Sequence, residues 1–137
     1  MISSPLTRAR ETSEPLSKKI NIPVSINPLF AEIPSPGINL SERKEWLQKV
    51  FKMKLSDLET PQKKWKDAII AEIKNLNNPT IIFSHFMVIN IIVSYLKESD
   101  FVVSFYPDNC SMTNLSKNNK GEIELISLGS ELQTELN

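Results

Sequence analysis

One stretch narrows what this chain can become: Thr-Ile-Ile-Phe-Ser-His-Phe-Met-Val-Ile-Asn-Ile-Ile-Val-Ser-Tyr, residues 80–95. Its first four residues are β-branched or aromatic and follow Asn77, Asn78 and Pro79. A short apolar run behind a turn signal reads as a buried strand. After Ser84 and His85 the period changes. Val88, Ile91, Ile92 and Tyr95 recur at helical spacing, so a helix takes over near residue 86. His85, the only histidine in the chain, is thereby put at the C-terminal end of a strand and the mouth of a helix. Open α/β sheets bind ligands at such ends, and the N–H groups of a helix N-terminus favour anions, phosphate above all. The same position also suits a histidine that is only hydrogen-bonded at a strand end, so position alone does not decide between chemistry and structure.

Composition excludes several function classes. The 137 residues suit a single domain, 1–137, long enough to bury a core. Sixteen basic residues balance sixteen acidic ones, which leaves no electrostatic case for nucleic acid or an anionic membrane. Cys110 is the only cysteine, so an internal disulfide and a thiolate metal cluster are excluded, and one histidine excludes a multi-histidine zinc site. No metal and no cofactor are expected, because arginine and histidine can supply the positive charge that an anion needs. No apolar run reaches the roughly 18 residues of a membrane span, since residues 81–93 are broken by Ser84, His85 and Asn90. Pro5, Arg8 and Arg10 stand where a signal peptide would need its apolar core. A cytoplasmic location is expected.

The remaining elements follow from caps and stripes. Ile2, Ser3 and Ser4 form the stub of a strand. Ser4 is a candidate cap and Pro5 a first helical residue, ahead of the stripe Leu6, Ala9, Leu16 and Ile20, with Pro15 expected to kink or divide the helix. Residues 23–26 are a weak strand and residues 29–37 a loop that carries Glu32 between Phe30 and Ile33. Ser41 is a candidate cap for a helix to about residue 53, with Trp46, Leu47, Val50 and Phe51 on its buried face. Thr60 and Pro61 open another helix, whose stripe is Trp65, Ala68, Ile69, Ile73 and Leu76. Residues 101–105 are apolar, 106–112 a loop, and 112–116 and 122–128 two strands joined by a polar turn that ends in Gly121. Residues 129–137 read as a frayed tail, and Cys110 as a small packed residue rather than a nucleophile.

Four of these stretches, in order, resemble the histidine phosphatase superfamily, the phosphoglycerate-mutase-like fold. Ser3-Ser4-Pro5-Leu6-Thr7-Arg8-Ala9-Arg10-Glu11-Thr12 resembles the family's Ser-Ser-Pro-Leu-x-Arg-Ala-x-x-Thr signature. Ala31-Glu32-Ile33, with Gly37 after it, resembles the loop that carries the family's acid. Ile82-Phe83-Ser84-His85 resembles the second catalytic histidine at its strand end, and Pro107-Asp108-Asn109-Cys110-Ser111-Met112-Thr113 the turn into a late strand. The resemblance implies an α/β three-layer sandwich with a mostly parallel central sheet and helices on both faces. It implies a phosphomonoester hydrolase acting on a small phosphorylated substrate. Arg8, Glu32 and His85 would be catalytic, and Arg8, His85, the backbone of Phe86, Asn109 and Ser111 would hold phosphate. The residue types suit that chemistry: a guanidinium fork holds two phosphate oxygens, a histidine stabilises charge in transfer, and a carboxyl whose pKa is raised by burial can protonate a leaving alcohol.

Two departures matter. The family's nucleophile is a histidine in an Arg-His-Gly motif that ends its first strand, and this sequence contains no Arg-His-Gly. Phe86 stands where the family commonly has glycine. Two readings follow. In one the chain is an N-terminally incomplete phosphatase that lacks its first strand and is inactive as it stands. In the other it is a non-catalytic relative that binds a phosphorylated ligand or a partner.

Overall fold

The computed structural model describes residues 1–131. Three parallel strands, β1 (Ile2–Ser3), β2 (Ser25–Ile26) and β3 (Ile82–Phe83), form a sheet in the order β2-β1-β3. Each pairs over two residues: Ile2 with Ser25 and Ile82, and Ser3 with Ile26 and Phe83. Parallel strands need a crossover between them. From β1 to β2 it is α1 (Thr7–Ile20). From β2 to β3 it passes through a 3-10 turn (Pro28–Phe30), α2 (Leu40–Val50) and α3 (Thr60–Asn75). α4 (Phe86–Leu96) follows β3, and β4 (Asn114–Lys117) pairs antiparallel with β5 (Ile123–Ser127) as a separate two-stranded sheet.

α4 is the centre of the core. Met87, Val88, Ile91, Ile92 and Val93 are all buried, and so are Asn90 and Ser94. A helix apolar on nearly every side must be enclosed, and here α3 packs against it. The buried asparagine is not idle. Its Oδ1 accepts from Ser104 N at 2.9 Å and Phe105 N at 3.2 Å, and its Nδ2 donates to Phe86 O at 3.2 Å. Residues 101–105, apolar but not a strand, are held to α4 in this way, with Val102 and Phe105 buried. Among the described residues no helix is long and apolar enough to cross a membrane.

Element types match the sequence expectations, while several boundaries differ for local reasons. α1 starts at Thr7, because Ser4 Oγ accepts from Leu6 N at 3.2 Å and holds Pro5 outside the helix. Pro15 lies inside α1 and does not divide it. α2 is opened by Asn39, not Ser41: Asn39 N donates to Glu42 Oε2 at 3.4 Å, and Ser41 lies one residue inside the helix. Thr60 is the first helical residue of α3 rather than its cap. Ile20, Ala68 and Tyr95, expected on apolar stripes, are exposed. So is Cys110, which the sequence reading had packed. Of the expected frayed tail, residues 132–137 lie outside the described residues. The part before them is tied down: Asp108 N donates to Ser130 O at 2.8 Å, and Pro107 forms a β-bridge with Glu131.

Candidate active site

Parallel pairing of β1 with β3 brings two C-terminal strand ends side by side. Ser4 N donates to Phe83 O at 2.9 Å, which extends the ladder one residue past β1. Ser4 and His85 therefore meet, with Ser4 Oγ and His85 Nε2 2.7 Å apart although 81 positions separate them in the chain. Ser4 is fully buried and His85 is 5% exposed.

Counting donors assigns the tautomer. A hydroxyl has one donor and two acceptor sites. Ser4 Oγ already accepts from Leu6 N. Were Nε2 to donate as well, the buried hydroxyl hydrogen would have no acceptor among the described residues. The hydroxyl therefore donates to Nε2, and Nδ1 carries the imidazole proton. Burial first, and Arg8 second, lower the pKa of His85 from 6.5 to about 4. At neutral pH the ring is an uncharged donor, so the fixed positive charge expected here comes from arginine and not from the histidine.

Glu32 reaches the same edge from the loop after the 3-10 turn. Phe30 and Ile33 on either side of it are fully buried. Ser84 Oγ donates to Phe30 O at 3.0 Å, and Gln62 Nε2 donates to Pro34 O at 2.8 Å. Glu32 Oε1 accepts from its neighbour Ile33 N at 3.0 Å and from Met87 N, in the first turn of α4, at 3.2 Å. Burial raises its pKa. The two backbone hydrogen bonds, and then Arg8 and Arg43, oppose that rise without cancelling it. A carboxyl held in this way is suited to carry a proton for a leaving group.

Arg8 stands exposed in the first turn of α1, near enough to act on both Glu32 and His85, and makes no ion pair among the described residues. The Phe86 ring stacks on Phe51 (5.0 Å between centroids) and meets Tyr106 in a tilted contact (5.7 Å). The backbone N–H of Phe86 belongs to the unsatisfied donors of the first helical turn, of which Glu32 takes the next. Asn109 and Ser111 are not brought into hydrogen-bonding contact with His85, Arg8 or Glu32. They are tied locally, Asn109 N to Asp108 Oδ1 at 2.7 Å and Ser111 N to Asp108 O at 3.1 Å. No three His, Cys, Asp or Glu side chains among the described residues converge in a set that could hold a metal ion.

Two participants escaped the sequence reading. Ser4 was legible only as a cap, because its contact with His85 depends on strand register. Arg43, on α2, donates to Ile33 O at 3.2 Å and to Ser35 Oγ, which puts a second guanidinium beside Glu32.

A family model described as the histidine phosphatase superfamily (branch 1) matches residues 1–128. The chain belongs to that superfamily. No curated protein matches it. The mixed α/β architecture, with helices packed on a parallel sheet, agrees with the histidine phosphatase fold.

Proposed function

We propose that this domain is the phosphate-handling part of a phosphomonoester hydrolase of the histidine phosphatase type, acting on a small phosphorylated substrate in the cytoplasm. The observation that carries the reading is the convergence of Arg8, Glu32 and His85 at the shared C-terminal edge of β1 and β3. Arg8 would hold two oxygens of the phosphoryl group. His85 would donate from Nδ1 to a third, and Glu32 would deliver a proton to the departing alcohol. Asn109 and Ser111 would contribute at the rim once the loop that carries them closes on a ligand.

The phosphohistidine route needs a second histidine, and His85 is the only one in the sequence. His85 is also turned toward Ser4 through Nε2. The nucleophile is therefore assigned to a histidine outside these 137 residues, and the chain alone is expected to bind anions without turning over esters. The second reading, a non-catalytic binder of phosphorylated ligands, shares the same site and differs only in whether such a histidine is ever supplied.

Inorganic phosphate is the first probe. Titration calorimetry should detect binding, weakened about tenfold or more by Arg8→Ala, as expected for loss of a charge-assisted contact of about 1.5–3 kcal/mol. Binding unchanged by Arg8→Ala would remove Arg8 from the site. Steady hydrolysis of an aryl phosphate by the pure chain, abolished by His85→Ala, would overturn the expected inactivity.

A further inference from the structure

Glu32 lies on a loop with few means of holding itself. Residues 31–36 belong to no strand or helix, and Pro34 and Pro36 have no N–H to give. Backbone carbonyls in such a stretch need donors from elsewhere. Two helices supply them. Arg43 of α2 donates through Nη2 to Ile33 O at 3.2 Å and through Nη1 to Ser35 Oγ. Gln62 of α3, itself buried, donates through Nε2 to Pro34 O at 2.8 Å. Three consecutive residues are thus held from outside, and Glu32 comes immediately before them.

Arg43 is committed to this task. It makes no ion pair among the described residues, although Glu42 and Glu45 stand close to it in the chain. Glu42 Oε2 is turned to Asn39 N, and Glu45 pairs with Lys49 at 2.9 Å. The helix that carries Arg43 is also tied at its other end, where the Phe51 ring stacks on Phe86. The contacts close a circuit. Arg43 joins α2 to the loop, Glu32 joins the loop to Met87 N of α4, and Phe86 joins α4 back to α2.

The charges that face Glu32 are two cations, Arg8 from α1 and Arg43 from α2. α3 presents the uncharged Gln62 to the loop. At the mouth of α4, His85 has its pKa lowered to about 4 and is largely uncharged where Glu32, raised above 4.5, takes its proton. Burial causes that rise; the N–H groups of Ile33 and Met87 oppose it, and the two arginines after them. The Met87 hydrogen bond lasts only while the loop stays in place. Arg43 therefore acts on Glu32 twice, through its charge and through the loop.

We infer that Arg43 is the positioning residue of Glu32: its planar fork holds the loop from one side, so that the carboxyl stays on Met87 N–H at the other, and its charge offsets part of the burial. Lysine would supply the charge, but a single ammonium lacks the fork. That the positioned proton serves a leaving group rests on the phosphatase reading; the clamp itself does not.

The test follows two NMR signals of the chain: the carboxyl carbon of Glu32 through a pH titration, and hydrogen exchange at Met87 N–H. In Arg43→Met the proton affinity of Glu32 should rise about threefold or more, because a nearby opposite charge is lost. Met87 should exchange about tenfold faster, while Ile91 and Val93, in the body of α4, keep their rates. Exchange reads the rare open loop and titration the closed one, so the two effects do not cancel. Arg43→Lys should still speed Met87 but leave the titration within about twofold of the wild type. Ser35→Ala removes one acceptor of the fork and no charge, so it should speed Met87 about threefold. That variant decides the matter if Arg43→Met does not fold, and an unchanged Met87 rate in it overturns the inference. So does either signal unmoved in Arg43→Met. Equal quickening of Ile91 and Val93 overturns it too, by making Arg43 a support of the helix packing rather than of Glu32. Both signals as expected, with no inorganic phosphate bound by the wild type, uphold the role of Arg43 and count against the phosphatase reading alone.

Discussion

The edge shared by β1 and β3 and the arm made of residues 106–131 hold their polar groups in opposite ways. On the edge, Ser3, Ser4 and His85 are buried, and a strand ladder sets their positions. On the arm, Asn109 and Cys110 are exposed, and the loop is shaped by its own turn around Asp108. The arm reaches the body through Lys117 on the C-terminal carbonyls of α3, β5 against α4, and the Tyr106 ring beside Phe86. A group set by a ladder is ready before any ligand arrives. A group set by turns must be brought in. Both regions carry motif residues of the same family, so a motif by itself does not distinguish the two conditions.

Acid should strain the edge before the arm. The folded pKa of His85, about 4, lies below its unfolded value of 6.5. The unfolded chain therefore binds the proton more readily. The contribution to stability is complete above pH 6.5 and is lost as the pH falls toward 4, amounting to about 3 kcal/mol at most. Glu32 works in the other sense. Its raised pKa gives a contribution that is present below pH 4.5 and lost as the pH rises through its folded value. Urea unfolding between pH 7 and 4 should show the net fall, and His85→Gln should flatten it. A wild-type profile as flat as the variant's would mean that His85 is not enclosed.

On the arm, Gly129→Ala is the strongest single disturbance. Its Cβ would come 2.5 Å from Ser111 Oγ and 3.1 Å from Met112 N, one of them a backbone atom. Overpacking of that kind costs about 1–3 kcal/mol. The exchange of amides 106 and 108–113 should quicken while those of β1 and β3 hold. Equal loosening of both would erase the distinction between the regions.

Ser4→Ala tests the edge from inside. It leaves Nε2 of a buried ring without a partner, at about 1–2 kcal/mol, and frees the choice of tautomer. Nitrogen shifts of the only imidazole in the chain should read an Nδ1–H ring in the wild type and a mixture in the variant, with Ser4→Thr restoring the first. An Nε2–H ring in the wild type would reverse the donor count. The smallest effect belongs to Lys117→Met. The carbonyls that accept from its Nζ lie at the exposed surface, and the loss should stay below about 1 kcal/mol. Thermal melts would resolve it.

Much of this was legible in the chain because it is local. The switch from strand to helix at Ser84 and His85, and the hairpin turn closed by Gly121, are written in neighbouring residues. Glu32 and Arg8 were found through motifs, and their convergence on His85 follows from the fold. What escaped depends on distance along the chain. Ser4 meets His85 only because β1 pairs with β3, and Asn90 reads as a flaw in an apolar run until residues 104 and 105 are seen to need its carbonyl oxygen. Capping shifted the helix starts for a similar reason: Asn39 and Ser41 compete for one role, and the first to reach Glu42 takes it.

The phenylalanine at position 86 has a consequence for motion. Its ring lies between Phe51, at the end of α2, and Tyr106, at the start of the arm. A side chain at this position would be expected to obstruct an approaching phosphate. Packed against the core and in contact with both rings, it links α2 and the arm to the residue next to His85. A ligand that draws the arm inward would therefore be felt at the imidazole, and a change at Phe51 would be felt there too, through contact between rings alone.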